Sequence, residues 1–154
     1  MNNSIRKPIR LKEYDYTTDG AYFITICTKD RRKILSEIHR VGDDAHIVPT
    51  PIGRLVDGFI QSIPGIDKYV IMPNHIHMII RIADGPMWAS APTQPIPARV
   101  RSFKTLVTKE LGTSIFQRSY YDHIIRGEQD YRDIWQYIDN NPIRWHEDEL
   151  YTPL

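Results

Sequence analysis

A single cysteine in 154 residues, Cys27, excludes any intrachain disulfide. It closes the apolar run Tyr22-Phe-Ile-Thr-Ile-Cys27, where it reads as a small buried hydrophobe suited to a reducing, cytoplasmic setting. No apolar run approaches the ~18 residues of a membrane span, and the polar, basic N-terminus does not read as a signal peptide. Excess charge of one sign is absent too: 20 basic residues face 19 acidic ones, for a net charge of +1. That excludes a histone-like polycation, so any nucleic-acid contact must come from local clustering. What is present is 41% apolar residues, enough for one real core. The length predicts one domain over 1–154.

Turn signals divide the chain. Residues 1–19 carry Arg6, Lys7, Arg10 and Lys12 and end in Thr17-Thr18-Asp19-Gly20, which reads as a basic arm. Aromatic and β-branched residues predict a strand over 21–28. Gly42-Asp43-Asp44 marks the turn of a short hairpin within 31–49. A helix is predicted over 51–63, with Thr50 as cap, Pro51 in the first turn and Ile52, Leu55, Val56, Phe59, Ile60 and Ile63 as its apolar stripe. Strands over 66–72 and 75–82 meet at Pro73-Asn74. Residues 83–97 form a Pro-rich linker. A helix over 98–111, a strand over 119–126 and a helix over 128–140 ending at Pro142 complete the chain. The order β-α-β-β-α-β-α predicts an α+β fold: a ferredoxin-like split βαβ antiparallel sheet with helices on one face, plus a C-terminal helix.

Chemistry concentrates in Tyr69-Val-Ile-Met-Pro-Asn-His-Ile-His-Met-Ile-Ile80. Residues two apart on a strand share a face, so His75 and His77 leave the same side of the sheet, close enough to share one ion. Two imidazoles without cysteine suggest a metal that keeps positions open for substrate. On the last helix, Tyr137 and Asn141 stand one turn apart on one face, bringing a phenol and an amide carbonyl together. Taken alone, His-x-His arises by chance, Asn141-Pro142 is an ordinary helix stop, and each basic residue over 99–126 is an ordinary solvated side chain.

Three blocks in order change that weighting. "YVIMPNHIHMII", "FQRSYYDHIIRGEQDYRDIWQYIDNNPIRW" and "IRLKEYDYTTDGAYFITICT" together resemble the HUH-type single-tyrosine DNA transposases, and among them the REP-associated tyrosine transposases and their insertion-sequence relatives. The likeness spans nearly the whole chain, with 83–97 the least matched. It implies metal-dependent cleavage and rejoining of single-stranded DNA through a 5′-phosphotyrosine at Tyr137. His75, His77 and Asn141 would hold Mg²⁺ or Mn²⁺; Asn141 stands where better-known relatives carry Gln. His123 would be an accessory residue. Arg99, Arg101, Lys104, Lys109, Arg118 and Arg126 would contact single-stranded or hairpin DNA, with Tyr120, Tyr121, Trp135 and Trp145 available to stack bases. The resemblance admits a homodimer and implies a cytoplasmic, nucleoid-associated enzyme. Three other readings remain open: a replication-type HUH nickase, a non-catalytic RRM-like or domesticated nucleic-acid binding module, and a small metal hydrolase that would not need Tyr137.

Overall fold

The computed structural model describes residues 20–82 and 94–152; the basic arm at 1–19 and the linker residues 83–93 lie outside them. Strand β1 (Gly20–Cys27) is followed by a hairpin of β2 (Ser36–Val41) and β3 (Asp44–Pro49). Helix α1 (Pro51–Gln61), β4 (Ile66–Ile71), β5 (His75–Ile82), α2 (Ile96–Leu111), β6 (Tyr121–Ile125) and α3 (Gly127–Asn140) come next. The main sheet runs β4-β5-β1-β6, antiparallel at every step. This is the split βαβ order, with the hairpin inserted ahead of α1 and the histidine strand in the interior of the sheet.

Alternation along the strands divides the core in two. Tyr22, Ile24 and Ile26 of β1 and Ile76, Met78, Ile80 and Ile82 of β5 face α1 and α2, joining Val56, Ile60, Val100, Phe103 and Val107 in the larger apolar cluster. Ala21 and Phe23, with Ile79, face the other way. They meet Ile134, Trp135 and Ile138 of α3 and Ile38 and Ile47 of the hairpin in a smaller cluster. Helix α3 therefore closes the second face, and the open aromatic platform that an RRM-like module needs is not offered there.

Local chemistry explains the boundaries. The Thr50 hydroxyl caps α1 by accepting from the Gly53 amide at 3.0 Å. Gly65, at φ +80°, turns the chain from α1 into β4 where a Cβ would lie 2.0 Å from the Arg81 carbonyl oxygen, so only glycine fits. Helix α2 begins at Ile96, two residues ahead of the sequence expectation. Pro97 is tolerated because first-turn amides have no helical partner to lose. The end of the expected linker is thus helix.

Candidate functional site

The face toward α3 carries an unusual density of buried polar groups. His75 and His77 project from β5 with ring centroids 4.5 Å apart, at 0% and 4% exposure. Thr25 sits opposite His77 in the β1–β5 register, its Oγ1 2.7 Å from His77 Nδ1. Asn74 Oδ1 lies 2.8 Å from His75 Nδ1. Each ring thus has its Nδ1 occupied while its Nε2 is buried without a hydrogen bond among the described residues.

Among the other atoms in that condition are Asn141 Oδ1 and Asp148 Oδ2. Asn141 ends α3 as its C-cap, donating its backbone N–H to Ile138, and turns its buried side chain inward. Asp148 arrives from the segment beyond α3, its Oδ2 3.5 Å from His75 Nε2. The ligand atoms of His75, His77 and Asp148 all lie within 4.8 Å of one another. An unsatisfied buried polar group costs about 1–3 kcal/mol, so four in one place require an explanation. Two ring nitrogens, an amide oxygen and a carboxylate oxygen can all offer lone pairs, which is the donor set of a divalent cation with open positions.

The electrostatics agree. Burial, then the neighbouring His75, pushes the His77 pKa from 6.5 down to about 3, against a smaller opposing pull from Asp148. His77 is therefore neutral at physiological pH, as a ligand must be. For Asp148, burial pushes the pKa up, but the neighbouring His75 and the Leu150 backbone N–H outweigh it and leave the carboxyl below its usual value. It is an anion at neutral pH.

Tyr137 lies above this cluster. Its ring centroid is 5.4 Å from that of His77 and 6.1 Å from that of Phe23. At 47% exposure it is one of the few large side chains with apolar bodies open to solvent. It borders a cavity of about 520 Å³ with Asp133, Asn141, Arg144, Glu147, Asp148 and Glu149 on its walls. Partial burial and the Asp148 charge raise the phenol's pKa, while hydrogen bonding with Asn141 draws it back. Four carboxylates against one arginine give this cavity a negative field.

The sequence-predicted residues separate into groups. Tyr137, His75, His77 and Asn141 converge. His123 is exposed, on the same sheet face as its register partner Phe23. Its Nε2 lies 2.8 Å from Asp130 at the start of α3, and that carboxylate also accepts the Arg126 backbone N–H. His123 thus fastens the near end of the helix. Arg101, Lys104, Lys109 and Arg118, with Tyr120, line a cleft of about 440 Å³ on α2. Lys104 spends its ammonium on the Gln117 and Arg118 carbonyls. Arg126 is exposed ahead of α3. Arg99 departs from the expected DNA-facing role: it is 7% exposed, and its guanidinium donates to the carbonyls of Gln94, Pro64 and Arg81. These bonds make it an internal tie between α2 and the sheet. Trp145, expected as a base-stacking candidate, is buried with its ring centroid 5.9 Å from that of His75.

Sequence reasoning missed Asp148. The only signal was the acidic run Glu147-Asp148-Glu149 just past the helix stop, which nothing local distinguishes from a solvated turn.

No protein-family model matches the chain. An uncharacterized protein of Haemophilus influenzae is 38% identical, the match covering 96% of this chain and 93% of that one. The REP-associated tyrosine transposase of Escherichia coli K12 is 26% identical over 84% of this chain and 70% of its own length. A solved structure described as a REP-associated tyrosine transposase bound to a REP hairpin superposes with a TM-score of 0.60 at 22% identity. That match covers 93% of this chain and 89% of the other and shows the same fold.

Proposed function

Since this chain belongs to the REP-associated tyrosine transposase family, whose members are DNA-processing enzymes, we propose that it cleaves and rejoins single-stranded DNA, with Tyr137 as nucleophile and hairpin-forming ends as substrate. The observation that supports this reading is that Tyr137 packs against His77 and shares a cavity with Asn141 and Asp148, beside two buried imidazoles whose ligand atoms lie within 4.8 Å of that of Asp148.

In the proposed reaction Tyr137 Oη attacks the scissile phosphorus and the bond from phosphorus to O3′ breaks. The phenol loses its proton, the departing O3′ gains one, and a 5′-phosphotyrosine and a free 3′-OH result. A second 3′-OH reverses the step, so the phosphodiester energy is retained and no nucleotide cofactor is needed. His75, His77 and Asp148, with Asn141 as a fourth donor, would hold Mg²⁺ or Mn²⁺, which when bound polarises the phosphate and offsets charge on its oxygens. The carboxylate oxygen of Asp148 suits these hard ions better than the imidazoles would alone. Helix α3 sets the line of attack, because its packing places Tyr137 beside the cluster. The α2 cleft with Arg101, Lys109 and Arg118 would take backbone phosphates, giving affinity without reading bases.

The test is a suicide-substrate assay. Labelled single-stranded hairpins from the flanks of the chain's own gene are incubated with Mn²⁺ or Mg²⁺ and resolved on denaturing gels. The expected result is a covalent adduct on the 5′ end of the downstream product, absent with chelator and in Tyr137→Phe. Cleavage that persists in Tyr137→Phe would transfer the chemistry to an activated water. Binding with neither adduct nor cleavage would make the protein a binding module.

A further inference from the structure

The two histidines are not held alike. His77 Nδ1 faces a hydroxyl, Thr25 Oγ1, which can donate or accept and so imposes no tautomer. His75 Nδ1 faces a carboxamide, and the other end of that carboxamide is committed. Asn74 Nδ2 donates to the Leu150 carbonyl at 2.7 Å and points to the Arg31 carbonyl at 3.5 Å. Two carbonyls on one side fix which end is NH₂. Oδ1, which can only accept, is therefore the atom 2.8 Å from His75 Nδ1. In its neutral form His75 must therefore carry its proton on Nδ1 and present Nε2 as a lone pair.

The same network runs on to Asp148. Leu150, whose carbonyl Asn74 holds, donates its own N–H to Asp148 Oδ1 at 2.8 Å. Asp148 Oδ2 is left facing His75 Nε2 at 3.5 Å. The chain of contacts leaves His75 at Nδ1 and returns to it at Nε2. It joins a strand start to a segment more than seventy positions away, through a side chain that is 1% exposed. Asn74 is itself immobilised, its backbone carbonyl accepting from both the N–H and the hydroxyl of Thr28.

We propose that Asn74 is the positioning residue of this site. It sets the His75 tautomer and anchors the Asp148 segment, so that both ligands are aligned before any cation arrives. The proposal rests on the metal-site reading above, and its first readout needs no metal. Partners that orient a ligating histidine typically account for about 10–100-fold in metal affinity.

Long-range ¹H–¹⁵N imidazole spectra of the metal-free protein should show His75 protonated on Nδ1. Asn74→Asp keeps an acceptor toward His75 and loses the donor to Leu150. It should retain that tautomer while the Leu150 amide exchanges faster and Mn²⁺ binding, measured by calorimetry, weakens about 10–100-fold. Asn74→Ala should lose both the tautomer preference and the affinity. A neutral wild-type His75 protonated on Nε2 and not on Nδ1 overturns the proposal whatever the metal affinity. A folded Asn74→Ala that binds Mn²⁺ like the wild type overturns it as well. Wild-type protein that shows the Nδ1–H tautomer and binds no divalent cation would sink the metal-site reading and leave the Asn74 hold on His75 standing.

Discussion

The two faces of the central sheet are made from the same strands and perform opposite work. Toward α1 and α2, Tyr22, Ile24 and Ile26 of β1 and every second residue of β5 from Ile76 are large hydrophobes in an apolar core. Toward α3, the intervening positions include Thr25, His75 and His77, buried almost as deeply, with the Nε2 atoms of both histidines left without a hydrogen bond. A residue on the first face stabilises the fold by leaving water. On the second face burial destabilises, and the arrangement persists because the opposite face and the strand ladder hold it. The site is thus held in a geometry its own residues would not choose.

That contrast can be broken at either face. Ile76→Ala removes a fully buried side chain between the two histidines, on the opposite side of β5. It should cost about 2–5 kcal/mol in denaturant unfolding, whereas Tyr137→Phe should change stability by no more than about 0.5 kcal/mol while abolishing the adduct. Equal losses from the two would erase the distinction between a structural and a functional face. Next in size is the response to Mn²⁺. At a free concentration a hundred times its Kd, one bound ion should stabilise the fold by about 2.7 kcal/mol, a shift that a thermal melt would resolve and that His77→Ala should lose.

Acid probes the same face. His77 binds its proton near pH 6.5 when unfolded and only near about 3 when folded, so the unfolded state holds more protons between those values. Stability of the metal-free protein should therefore fall as pH drops from about 6.5 toward about 3. His77→Ala should flatten that decline, and an unchanged profile would remove His77 as its source. On the α2 side, Arg118→Gln should weaken hairpin binding and lower the slope of log K against log salt by about one, leaving Mn²⁺ affinity untouched. The smallest effect is expected where Lys68 pairs with Asp139 of α3 at 2.6 Å beside Trp135. Asp139→Asn should cost no more than about 1 kcal/mol, and a larger loss would show that polar clasps hold α3 more than Ile138 does.

Much of this was legible in advance because it is local. The element order follows from period and turn chemistry: Thr50 before an amphipathic run, Gly65 after it, and Pro142 after α3. The shared face of His75 and His77 follows from strand alternation alone. The pairing of Tyr137 with Asn141 follows from helical rise. Misreadings occurred where a side chain's partners lie far off in the chain. Arg99 has the sequence profile of a solvated basic residue, yet three backbone carbonyls distant from one another converge on it. Asp148 has the profile of a turn residue and instead faces His75.

The sequence by itself determined the split βαβ order, the strand that carries the histidines, the helix that carries the tyrosine and the family. Each of these is written in spacings of a few residues, where backbone geometry leaves little choice. Only the tertiary structure decided that α3 lies across the histidine face, that Asp148 lies beside the two imidazoles and that Asn74 joins His75 to its segment. Those contacts span tens of residues, and no local periodicity encodes them. They are selected by which buried polar atoms can satisfy one another once the core has closed.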